Sequence, residues 1–210
     1  MLTIIHLIKS EMQEFCEITL SKIINDCWQG TPPDPEDILS FQKYIECPDM
    51  RKAWISLLNQ KRISCSFEVP DTTFPTLGEL MNYLLDIIYS VKDFQIARKC
   101  IIYSQTFHNG ERVYLQSLIE DNSIWGDLVT WERMLRLALA EEIKVFAEFC
   151  FEDWDCVDEL NMRVRTIMIS QIAAYAHIME SFRLPQPKID LFLEKFGKEY
   201  GLTSDLQFIN

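Results

Sequence analysis

SIWGDLVTWERMLRLALAEEIKVFAEF, residues 123–149, is the stretch whose reading decides the fold class. Ile124, Leu128, Trp131, Leu135, Ala138, Val145 and Phe149 recur close to every 3.6 residues, and Trp125 and Val129 widen the apolar stripe. That period turns one side of a long helix toward a core; a strand would alternate every second residue. One continuous helix from Ser123 is therefore expected.

Working outward toward the C-terminus, Val157, Leu160, Val164, Ile167, Met168, Gln171, Tyr175, Ile178 and Phe182 mark a second long helix, ended by Pro185 and Pro187. A last helix presents Ile189, Phe192, Leu193 and Phe196, and Gly201 followed by Leu202 fits a C′ glycine and its apolar contact. Toward the N-terminus, Val113–Ile119 reads as a short helix after an Asn109-Gly110 turn. Asp93 opens a helix with Phe94, Ala97, Ile101 and Ile102 inward.

Thr76 and Glu79 form a capping box before a strongly apolar helix that runs to Val91. Asp34, Pro35 and Asp37 suit the start of another helix, and Cys47-Pro48 breaks the chain ahead of a short helix with Trp54 and Leu58 inward. Ser10 and Gln13 form a capping box for a helix through Phe15, Thr19, Ile23 and Cys27, with residues 2–9 either extending it or packing separately. Residues 62–75 form the longest irregular segment, a candidate mobile loop. These signals predict an all-α, compact, irregular bundle of eight or nine helices. Residues 1–210 then form one helical domain, or two subdomains meeting near 62–75.

A hydrophobic fraction of 48% with 12% aromatics suffices for a packed core. The formal net charge of −12 disfavours nucleic acid and anionic membrane surfaces, both of which are held through Lys and Arg. A protein partner with a basic surface, or one held by apolar contacts, fits better. No apolar run reaches the roughly 20 residues needed to span a bilayer, and the N-terminus lacks signal-peptide features. The seven cysteines are scattered, without a Cys-x-x-Cys pair, and read as reduced core thiols of a cytoplasmic protein.

Chemistry-bearing motifs are missing from the sequence. His6, His108 and His177 are far apart; His177 reads as a hydrogen-bonded histidine near the core and His108 as a loop residue. Neither a phosphate-binding glycine loop nor an EF-hand can be written, so no cofactor, metal or catalytic residue is expected. Two segments stand out as docking surfaces. One is the acidic junction Glu148, Glu152, Asp153, Asp155, Asp158 and Glu159, suited to Lys and Arg of a partner. The other is the loop Ser64–Phe74, through Phe67 and Phe74. Trp125 and Trp131, six apart on one helix, project from different sides, so Trp125 is a further docking candidate.

The segments DFQIARKCIIYSQTF and VYLQSLIEDNSIWGDLVTWERMLRLAL, between Asp93 and Leu139, carry a resemblance. They resemble the helical region that follows the DENN module in the SET-binding-factor family, the myotubularin-related pseudophosphatases. They are also similar to the C-terminal region of the MAP-kinase-activating death domain protein. Ser104, Gln105, Thr106, Phe107, Tyr114, Leu115, Ile124, Trp125 and Trp131 hold the matching positions, and Gln171, Tyr175 and Met179 extend the match. The resemblance implies a non-catalytic interaction or regulatory module in Rab-linked membrane traffic or cytoskeletal signalling. It transfers no catalytic residue, because nucleotide exchange in that family belongs to the DENN module. The alternatives are a structural subunit of a larger assembly or a homodimer and, behind these, an enzyme with an unfamiliar site.

Overall fold

The computed structural model describes residues 2–150 and 157–207, with side chains from 14 to 148 and from 159 to 207. It is all-α, with eleven helices among the described residues. The chain divides into two compact units, residues 1–122 and 123–210, while the 62–75 segment lies inside the first.

Unit 1 holds α1 (Leu2–Gln29), α2 (Pro35–Tyr44), α3 (Pro48–Ile63), α4 (Phe74–Val91), α5 (Phe94–Ser104) and α6 (Gln116–Ile119). α3 packs on α1 and α5, and α4 packs on α5 and α6. Leu20, Ile23 and Cys27 of α1, Trp54 and Leu58 of α3, Leu84 and Ile88 of α4 and Cys100 of α5 are fully buried together with Phe41 of α2. Each large apolar side chain so buried contributes roughly 1.5–3 kcal/mol.

Side-chain caps set the starts of α2 and α5. Asp34 accepts the Glu36 amide at 2.8 Å with Pro35 in the first turn, and Asp93 accepts the Ile96 amide at 3.4 Å, as their sequence positions predict. The other two expected capping boxes do not stand at helix starts. α1 already starts at Leu2, so Ser10 lies inside it, and α4 starts at Phe74, so Thr76 lies in its first turn. Thr73 instead donates to the Cys27 carbonyl at 2.5 Å.

Unit 2 holds α7 (Ser123–Gly126), α8 (Leu128–Cys150), α9 (Val157–Ser181), α10 (Gln186–Tyr200) and α11 (Thr203–Leu206). α8 packs on α9, and α10 lies against both. The helix expected from Ser123 is broken at Asp127, whose carboxylate accepts the Val129 amide at 3.0 Å and starts α8 afresh. Gly201 sits at φ +66° with Leu202 buried, and the Leu202 amide donates to the Gly197 carbonyl at 2.7 Å, completing the predicted cap. The break at Asp127 and the four-residue α11 bring the eight or nine expected helices to eleven.

Several expected inward residues face solvent: Phe15 is 63% exposed, and Ile102, Val91, Val129 and Val145 are also exposed.

Candidate functional site

The 62–75 segment is tied down along its length. The Trp28 indole donates to the Ser66 carbonyl at 2.8 Å and the Thr72 hydroxyl to the Gly30 carbonyl at 3.0 Å. Gly30, at φ +74°, leaves Pro70 room that a Cβ would take, at 3.2 Å. A second irregular stretch, residues 105–115, runs beside it. The Val69 amide donates to the His108 carbonyl at 2.8 Å, the His108 amide to the Phe67 carbonyl at 3.1 Å, and the Leu115 amide to the Phe107 carbonyl at 2.8 Å. His108 thus bridges Glu68 on one side and Tyr114 on the other.

This crossing of three backbone segments sorts its side chains by the two-residue period of extended chain. Val69, Phe107 and Leu115 are fully buried. Glu68, His108 and Tyr114 take the opposite face, where the His108 and Tyr114 rings meet edge to face, 5.7 Å between centroids. Tyr114 is 47% exposed. The His108 Nδ1 lies 2.8 Å from the Asn109 carbonyl oxygen.

The adjoining turn is locked by Asn109, whose side-chain oxygen accepts the Glu111 amide at 3.1 Å and the Val113 amide at 2.8 Å. Carboxylate oxygens of Asp71 and Glu68 lie within 4 Å of the space beside Gly110. The face therefore joins two aromatic rings to two carboxylates on a backbone held by hydrogen bonds. Among the described residues, no group of three metal-capable side chains comes together.

The expected site residues are scattered. Phe67 is 37% exposed at the margin of the crossing. Phe74 is 4% exposed: it opens α4 and turns into the core, which removes it from any docking surface. Trp125 is 1% exposed, packed on Trp131 at 5.6 Å and Phe182 at 4.9 Å. The break at Asp127 rotates α7 relative to α8, so both tryptophans face inward and the Trp131 indole donates to the Trp125 carbonyl at 2.7 Å.

Of the acidic junction, Glu148 and Glu159 are exposed, each beside a cation one helical turn away, Lys144 at 3.6 Å and Arg163 at 3.5 Å. Glu152, Asp153, Asp155 and the Asp158 side chain lie outside the described residues. His177 is exposed, against expectation, because Tyr175, Ala176 and Met179 take the inward positions; it sits 3.5 Å from Glu180.

Cys27 and Cys100 are buried as expected, whereas Cys47 and Cys65 are exposed. Burial, reinforced by Asp26, pushes the Cys27 thiol up to about 12, and burial with Asp93 raises Cys100.

Sequence reasoning overlooked Glu68, Asp71 and Tyr114 as one group. The available signal was two irregular stretches of similar length, each with an aromatic residue followed by a polar one, Phe67-Glu68 and Phe107-His108. Compared with protein-family models, with curated proteins and with solved structures, the chain matches none.

Proposed function

We propose that this chain is a non-catalytic protein-interaction module that holds a basic segment of a partner at the crossing of unit 1. The observation that carries this reading is the exposed Tyr114 ring against the half-buried His108, with the Glu68 and Asp71 carboxylates near Gly110 of the adjoining turn. Aromatic residues on a pre-organised backbone lose little conformational freedom on binding, and tyrosine is enriched among residues that dominate interface energy. The net charge of −12 speeds encounter with a basic partner. The buried free thiols of Cys27 and Cys100 accord with a reducing, cytoplasmic setting. A place in Rab-linked membrane traffic or cytoskeletal signalling rests on the SET-binding-factor resemblance alone. No helix among the described residues is long and apolar enough to cross a membrane.

Affinity capture from native cytosol tests this. Tyr114→Ala and the double variant Glu68→Lys/Asp71→Lys should lose a partner that the unaltered chain retains, with helical circular dichroism unchanged. Identical partner sets for all three proteins would overturn the assignment.

A second reading, a subunit buried permanently against another chain or a homodimer, is favoured by Phe15 and Ile18. These lie three apart on α1 and are 63% and 60% exposed. Light scattering at micromolar concentration decides it, since a monomer removes the homodimer.

A further inference from the structure

We propose that the groove between α3 and α5 is a second docking site, which takes an acidic segment of a partner protein anchored by an apolar side chain. The groove has a volume of about 320 Å³ and is lined by Lys52, Asn59, Arg62 and Lys99, with Ile102 as its exposed apolar side chain and Ile55 buried beneath. No carboxylate lines it, although the chain carries a net charge of −12.

The cations are poorly neutralised. Lys52 meets Asp49 at 3.4 Å, but both are well exposed, and such a pair is worth well under ~1 kcal/mol. Arg62 donates through Nε and a terminal nitrogen to the Asn59 side-chain oxygen at 3.3 and 3.2 Å, an amide that leaves the guanidinium charge uncompensated. Lys99 has no ion pair among the described residues. Other cations of the chain do meet carboxylates, as in Lys22–Asp37 at 2.5 Å, Arg165–Asp205 at 2.5 Å and Lys195–Glu132. In the α3–α5 groove three cations share one cleft with no carboxylate in its lining, so its walls concentrate positive potential.

Shape and lining select the occupant. The volume lies at the small end for a ligand pocket, and the site is open along two helices, so it accommodates side chains of a passing peptide better than an enclosed metabolite. Ile102, 50% exposed, offers an apolar contact flanked by cations. Tyr103 stiffens the floor: its hydroxyl donates to the Ile55 carbonyl at 3.2 Å, and burial raises its pKa while Arg62 acts in the opposite direction. The groove and the crossing have opposite charge preferences, so this assignment stands apart from the one above.

Fluorescence anisotropy of the intact protein with a short labelled peptide of alternating Glu and Leu tests it. Binding is expected at low salt, weakening as salt rises, and absent for the same peptide with Gln in place of Glu. Arg62→Glu/Lys99→Glu should weaken binding about tenfold or more. Lys144→Glu/Lys198→Glu, an equal charge change in unit 2, should leave it unaltered, with both variants checked by circular dichroism. The proposal is overturned by failure of the Glu–Leu peptide to bind, by equal binding of the Gln–Leu peptide, or by indifference to the Arg62/Lys99 change. Release of the peptide by inorganic phosphate, at an ionic strength where sodium chloride does not release it, would reassign the groove to a small anion. None of these outcomes touches the Tyr114 experiment, so the two assignments fail separately.

Discussion

Arg51 is the one buried charged residue in the described core, 4% exposed. Its guanidinium reaches the Ile45 carbonyl at 3.1 Å, the Glu46 carbonyl at 2.8 Å and the Asp93 carboxylate at 3.3 Å. One side chain thereby satisfies two carbonyls at the end of α2 and fixes the residue that caps α5. Truncation leaves those oxygens without their donor and Asp93 without its counter-charge. Arg51→Ala is therefore expected to destabilise by about 3 kcal/mol, read as a lower urea midpoint. A loss below about 1 kcal/mol would show that the pair acts like a surface ion pair. Nothing in the periodicity singles out this arginine, since its neighbour Lys52 occupies the same polar run and faces solvent.

Among the elements, long helices were legible and their joints were not. The stripes of α10 and of α4 as far as Ile88 lie where their spacing placed them, because burial of one face is a property of the helix itself. Of the stripe expected in α9, only Tyr175 and Phe182 are buried among the described residues, beside Ile172, Ala176 and Met179. Asp34, Asp93 and Gly201 cap as predicted, because a cap is decided within a few residues. The break at Asp127 escaped notice because Ile124, Leu128 and Trp131 keep their period across it, although the backbone does not. The crossing escaped for another reason: the hydrogen bonds that tie Phe67 and Val69 to His108 join residues about 40 apart, which no local pattern records.

Packing between elements also yields a paired test. A Cβ on Gly78 of α4 would meet Leu118 Cδ1 at 2.7 Å and Leu118 Cβ at 2.9 Å. Gly126 has nothing within 4 Å of the same position. Gly78→Ala should thus be destabilising by about 1–3 kcal/mol through overpacking, despite alanine's better helix propensity. Gly126→Ala should be neutral or slightly stabilising. Thermal melts compare the two directly, and equal effects would mean that α6 yields freely.

For the whole molecule, each of the two units has its own buried centre: Trp54, Leu84 and Cys100 in the first, Trp131, Phe182 and Phe196 in the second. A fragment of residues 1–122 is expected to keep helical circular dichroism and a cooperative melt on its own. A fragment without a cooperative transition would show that its core depends on the rest of the chain. The cationic groove and the acidic crossing both belong to this fragment, so it should retain both binding assays. The resemblance that suggested an interaction module spans residues from both units, which is why a division at 122–123 could not be read from it.

The tryptophan pair has an optical consequence. Trp125 and Trp131 sit 5.6 Å apart with their planes at 45°, close enough for their indole transitions to couple and asymmetric enough for the coupling to rotate polarised light. Trp28 and Trp54 of unit 1 instead have phenylalanine neighbours. The exciton band in the circular dichroism spectrum is thus a built-in chromophore for unit 2, and its fading on heating tracks that unit without a label.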